Sequence, residues 1–372
     1  MKTGIFFLKN TLIAVFLFGL LLIIASCKKE NKKDTVNTNI AENSLTLAPV
    51  DFEKVSGLVP LGNLNPPGHT FPTRHTYIYF AHPGTELNVY APGAIHIFQI
   101  ARFRNTTTGF SDYRIEFGNP SGTVLFLGHL STLHSSIMEK ANDFNDAVCE
   151  TYSTGGSTIE YCRKPVSIEV EAGDIIATAG ATAQSYNIDM GASVNSTPVC
   201  PLDFFAASAK NTMEAKTGNV NGNIRRTEAP VCGAYNLDIA GTLQGNWYKQ
   251  GAARDLEDQH IAFVKDNIQP NKLRISIGNA VPGLASGVYG VGTADVNDGG
   301  FATGLVNRTF ATVTPDGQTY CYEPKNILGG STTDISILVK MENRTTLSFE
   351  KRNCDCSCEP YSFSSAKINF NR

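Results

Sequence analysis

The sequence predicts an all-β protein with two β-rich domains, and three observations predict it. Charged residues are only 17% of the chain and Gly is frequent, at 33 of 372 residues. Val, Ile, Thr, Tyr and Phe, which suit a pleated and half-buried surface, recur throughout. From about residue 51 onward, short runs of these residues are separated by Gly, Pro, Asn and Asp turn signals, the pattern of a sandwich or small barrel.

The chain starts with a different kind of segment. Lys2 and Lys9 flank the beginning of an apolar run from Thr11 to Ile24, and Ala25-Ser26-Cys27 follow. A basic start, a short apolar stretch and small residues before a cleavage point define an export signal. The run is short for a membrane-spanning helix. The Ile-Ala-Ser-Cys junction resembles the lipobox of bacterial lipoproteins, in which the cysteine becomes the first mature residue and carries acyl chains. Residues 1–27 are therefore expected to be a lipoprotein signal with Cys27 as the lipid acceptor. Several chains on one residue anchor stably where a single chain does not. Residues 28–50 begin with the basic KKENKKD and continue through TVNTNIAENS without periodicity, so they are expected to be a flexible tether.

Roughly 345 residues remain, more than one typical domain. Residues 51–205 hold the strand signals TYIYFAH, LNVYAPG and AIHIFQIARFR, the hairpin DYRIEFGNPSGTVLFLGHL, and the pair VSIEVEAGDIIATAG. The only clear helix signal is STLHSSIMEKANDF, opened by Ser131 or Thr132. Residues 206–230 lose the apolar periodicity and are expected to link the domains, with room for one helical turn. Residues 231–372 contain about eight further strand-like runs, from GTLQGNWY to YSFSSAKINF. Trp247 is expected to pack in or beside that core.

The net charge of −3 carries no basic surplus for nucleic acid. There are nine cysteines. With Cys27 acylated, the remaining eight form an even set in an exported protein, which implies disulfides. Cys149 and Cys162 flank a Gly-Gly turn and are a natural pair. The Cys-Asp-Cys-Ser-Cys run at 354–358 is also expected to be in disulfides, because three alternating cysteines do not converge easily on one tetrahedral ion.

Six of the seven histidines fall between His69 and His134. Imidazole is a common zinc ligand, so this crowding marks a candidate metal site. His69 and His75 lie in PPGHTFPTRHTYIYF, where the Pro-rich loop can fold His69 back over the strand. His75, Tyr77 and Tyr79 share one strand face. His82 is expected in a turn, His96 satisfied in the sheet, and His134 exposed on the helix.

The order of these phrases resembles the lysostaphin-type (LytM-like) zinc endopeptidases of peptidoglycan over roughly residues 60–195. GTELNVYAPGAIHIF, the hairpin ending Gly128-His129-Leu130, and VEAGDIIATAG, with Gly173, Ile176 and Gly180 in place, are similar to that family's successive motifs. The resemblance implies a duplicated hybrid motif, a β-sandwich-like fold, for 51–205, with His75 at the first zinc-ligand position. It also implies that His129 orients the reacting carbonyl. Several key positions depart from the family: Tyr77 and Tyr79 replace its Gly and Asp, Leu127 its Tyr, and Asn187 and Asp189 its closing His-x-His. A rearranged zinc set of His69, His75 and Asp189, with His129 assisting, is the form of site these residues leave.

The reading is a membrane-tethered lipoprotein of the cell envelope. Its peptidase-like domain binds peptidoglycan or another envelope polymer without efficient hydrolysis. The rivals are an active, divergent zinc peptidase and a structural scaffold lipoprotein.

Overall fold

Residues 40–154, 156–181, 186–292, 303–327 and 335–372 are described by the structure, a computed structural model. Cys27 and the signal segment lie outside the described residues. No helix among the described residues is long and apolar enough to cross a membrane.

The N-terminal half runs through β1 (Val55–Val59), β2 (Thr76–Phe80), β3 (Leu87–Tyr90), β4 (Ile95–Asn105), β5 (Ser111–Gly118), β6 (Thr123–Leu130) and β7 (Thr132–Leu133). It continues through α1 (Ser135–Ala141), β8 (Val148–Thr154), β9 (Ser157–Val170), β10 (Ile175–Ala179), β11 (Asn187–Val194), β12 (Thr197–Val199) and α2 (Ala207–Glu214). The large sheet has the order β1-β2-β11-β6-β5-β4-β9-β8, with β12 beside β11, and its strands pair antiparallel. A small sheet, β3-β10-β7, accompanies it. Buried Ile78, Ile97, Ile115, Leu125, Ile176 and Ile188 are members of one core cluster that draws on both sheets. Alternation explains the arrangement: the same strands that bury these residues turn their polar neighbours outward.

Two stretches read as tether and linker pack against the N-terminal half. Residues 40–50, at the end of the expected tether, bury Ile40, Leu45 and Val50 against this core. The Leu45 backbone bridges to Phe205. Three apolar side chains spaced five apart follow no strand or helix period, which is why the segment read as tether. Residues 206–230, expected as a linker, carry α2, and the backbone after it bonds to Leu58 of β1 on both sides, through Lys216 and Gly218. Ala209 and Met213 are the only apolar helix positions that bury, too few for a visible stripe.

Helix α1 is capped by His134, whose Nδ1 accepts from Ser136 N, and not by Ser131 or Thr132. His134 is exposed at that cap, His96 bonds Ser167 within the sheet, and His82 closes a turn to Thr85.

The C-terminal half contains β13 (Gly245–Lys249), β14 (Ile261–Lys265), β15 (Leu273–Ile277), β16 (Gly287–Val291), β17 (Tyr320–Tyr322), β18 (Pro324–Asn326), β19 (Ser336–Asn343), β20 (Thr346–Arg352) and β21 (Ile368–Asn371). They form one antiparallel sheet in the order β17-β19-β20-β21-β13-β14-β15-β16-β18. The two end strands of this path, β17 and β18, are separated in sequence by Glu323 alone, so the sheet curls into a nearly closed barrel. Trp247, Phe263, Phe310, Tyr322, Phe349 and Phe370 fill it. The segment GLVNRTF, at 304–310, makes a single bridge between Val306 and Cys321.

The halves meet through specific contacts. Phe71 stacks on the His260 ring at 5.5 Å and packs edge-on to Tyr248. Asn267 donates to Pro60 O, and Arg226 to Asn267 O. His260, the lone histidine of the C-terminal half, is fully buried there.

Six of the eight expected cysteines pair as Cys149–Cys162, Cys200–Cys232 and Cys321–Cys356. Cys354 and Cys358 are free thiols. Only Cys356 of the 354–358 run is bonded, since its side chain alone points into the buried cluster with Leu338.

Candidate functional site

Three adjacent strands build the site. β11 is flanked by β2 and β6, and its Asp189 sits opposite Tyr77 on one side and Gly128 on the other. The Cβ that Gly128 lacks would lie 3.5 Å from Asp189 Cβ, so the small residue leaves room beside the carboxylate. Tyr77 lies in regular extended strand, as its sequence position indicated.

His129 reaches Asp189 because β6 is irregular there. Tyr113 pairs with Leu130 but Ile115 with Leu127, so Gly128 and His129 together oppose Arg114 alone. His129 has φ +56°. A bulge of this kind re-aims a side chain, and a positive φ on a non-glycine residue is strain that the surrounding structure must hold. The imidazole bridges two carboxylates: Nδ1 lies 2.5 Å from Asp112 Oδ2 and Nε2 3.4 Å from Asp189 Oδ2. The Asp189 charge, opposed by desolvation and aided by the Asp112 hydrogen bond, raises the His129 pKa to about 9. His129 is therefore an imidazolium at neutral pH.

His75, just ahead of β2, meets the same carboxylate from the other side, with Nε2 3.3 Å from Asp189 Oδ2. Burial dominates here and lowers its pKa to about 4 despite the Asp189 charge, so His75 is neutral. Its Nε2 is buried and has no hydrogen-bond partner among the described residues. Asn187, two residues along β11, donates to Asp189 Oδ1 at 3.2 Å. Tyr79 holds its phenol proton up to about pH 12, through burial first and then the Asp189 charge.

His69 stands in a loop closed by reciprocal backbone bonds with Asn65. Its ring meets the His75 ring edge-on at 5.8 Å. His69, His75, His129 and Asp189 thus line one cleft, of about 1050 Å³. Asp112 and Arg114 also line it, together with the turn from Asp255 to Asp258 of the C-terminal half. Arg114 spreads over the Phe126 ring at 4.2 Å and lies 3.7 Å from Glu116.

Zinc needs three protein donors and an open position. Among the described residues, no group of three or more His, Cys, Asp or Glu side chains is arranged to hold a metal ion. His75 and His129 each approach Asp189 Oδ2, at 3.3 and 3.4 Å, while His69 joins the group through its ring contact with His75. Chemically, the cluster is an imidazolium clamped between two carboxylates beside a neutral imidazole, suited to hydrogen bonding with a polar chain.

Sequence reasoning missed Asp112, Arg114 and the 255–258 turn. A signal for the first two was present, since Asp112, Arg114 and Glu116 alternate on one face of DYRIE. The 255–258 turn carried none, because it joins the cleft from a distant part of the chain.

No protein-family model matches the chain. Comparison with characterised proteins finds no match either.

Proposed function

We propose that the chain is a cell-envelope lipoprotein whose cleft holds an extended wall peptide or related polymer without efficient hydrolysis. The observation that carries this reading is the state of the His75–Asp189–His129 cluster. It lines the cleft, yet His129 already carries its proton and is clamped by Asp112 and Asp189. Asn187 stands where the resembled peptidases keep a histidine, and an amide cannot relay a proton. General acid–base assistance is worth about 100- to 10,000-fold, so its loss leaves a binder. The ordered motifs GTELNVYAPGAIHIF and VEAGDIIATAG support a wall peptide as ligand, and three disulfides suit an oxidising compartment.

Purified peptidoglycan tests this directly. The protein should sediment with the wall and release no soluble fragments from it. Release of fragments that His75→Ala abolishes would replace this reading with the zinc hydrolase. Failure to sediment would leave the scaffold reading.

The membrane anchor has its own test. Cys27→Ala should move the protein from the membrane fraction to the soluble one and stop incorporation of labelled fatty acid. A variant that stays in the membrane rules out the lipid anchor.

A further inference from the structure

Asp189 and His129 stand on strands of the large sheet, but His69 and His75 do not. Both belong to the segment that joins β1 to β2. A segment outside the sheet opens more easily than the strands beside it unless something else holds it.

The C-terminal barrel reaches this segment in three ways. The first is apolar. Phe263 points into the barrel core, so its neighbours Ala262 and Val264 on β14 point outward. Both are nonetheless completely buried, in a cluster with Phe71 that Leu64 and Leu237 join. Leu64 and Phe71 lie on either side of His69 in the chain. The Phe71 ring also stacks on His260 and meets Tyr248 edge-on, with ring centres 5.5 and 5.1 Å away. The second contact is polar. Phe71 N donates to Glu257 Oε2 at 3.3 Å. Burial raises the Glu257 pKa, and His69, the Phe71 N–H and Arg74 oppose the rise, so this carboxylate stands among groups of the same segment. The third is a close approach. A Cβ on Gly278, just after β15, would fall 2.8 Å from Thr70 Oγ1, and Thr70 is completely buried. His69 is thus followed directly by two residues that the barrel encloses.

The hold passes to His75 over a short distance. Gly62 N bonds Thr73 O, Thr73 N bonds Asn63 O, and Thr73 Oγ1 donates to His75 O at 3.4 Å. His75 then meets Asp189 at 3.3 Å and the His69 ring at 5.8 Å.

We infer that Phe71 is a positioning residue: by clasping it, the barrel fixes the segment that brings His69 and His75 to Asp189, and so completes the cleft. The barrel then has a role in the site without supplying a group to the cluster. The inference concerns the protein's own geometry and holds whatever fills the cleft, so it stands or falls apart from the wall-binding reading.

The test uses the full chain. Phe71→Ala should speed amide hydrogen exchange across residues 61–75 by at least about tenfold while β5 and β6 exchange as before. The His69 and His75 ring resonances should move in the same variant. Those of His96 and His134, which bond Ser167 and Ser136, should stay in place. Phe71→Leu, which keeps an apolar group in the slot, should restore part of both signals. Glu257→Ala removes only the polar contact, gives a smaller change at the same residues, and serves if Phe71→Ala does not fold. Unchanged exchange and unchanged His69 and His75 resonances would mean that the segment supports itself, and would overturn the inference. Equal acceleration through β5 and β6 would make Phe71 a general packing residue and would overturn it too.

Discussion

Asp189→Asn should lower the proton affinity of His129 by at least about tenfold, because an opposite charge within a few ångströms shifts a titration by one unit or more. The Asp189 charge is the largest cause of the raised His129 pKa of about 9. Histidine resonances followed by NMR across pH 5–10 read this directly. An unchanged His129 midpoint would mean that Asp112 alone holds the imidazolium and that the three-strand cluster is not coupled. Stability should follow the same logic. His129 binds its proton more tightly folded than unfolded, so its contribution is complete below the ordinary histidine value of 6.5 and is lost as pH rises through about 9. His75 acts in the opposite sense. Its folded pKa of about 4 lies below 6.5, so stability is withdrawn as pH falls from 6.5 to about 4. In Asp189→Asn the alkaline loss should flatten. The acidic loss should remain, because burial is its largest cause.

Trp247→Ala should destabilise the C-terminal barrel by about 3–5 kcal/mol, the usual cost of emptying a buried aromatic site. The Trp247 side chain is completely buried, and its Nε1 donates to Leu243 O at 2.7 Å. The Arg372 guanidinium covers the ring at 4.1 Å while bonding Gln244 O and Leu243 O. Removal of the indole therefore takes away core volume, a buried hydrogen bond and the platform under the last residue of the chain. Chemical denaturation should show the loss, and Trp247→Phe should recover part of it. A loss below about 1 kcal/mol would place Trp247 outside the structural centre of the barrel.

Features encoded over short distances were legible in the sequence. The β5–β6 hairpin was readable because Gly118-Asn119-Pro120-Ser121-Gly122 is a turn in its own right. The Cys149–Cys162 bridge was readable because it spans neighbouring strands joined by a short turn. Motif order placed His75 and Asp189 together, and they lie 3.3 Å apart; Trp247 was legible as a core residue.

What joins distant segments was not. β11 inserts between β2 and β6 from more than a hundred residues beyond β2, and no local pattern specifies that neighbour. The bulge that turns His129 toward both carboxylates exists only in the pairing of β6 with β5. The packing of residues 40–50 and 206–230 was not legible because it comes from a few buried side chains and from backbone bonds to other segments.

The sequence by itself determined that the chain is β-rich and disulfide-bonded, and that its histidines crowd into the N-terminal half. Only the tertiary structure decided that His129 is charged and His75 neutral, because a pKa depends on burial and on charges brought near by the fold. It also decided that the barrel's acidic turn faces the histidine cluster across one cleft, since that proximity arises from packing between segments nearly two hundred residues apart.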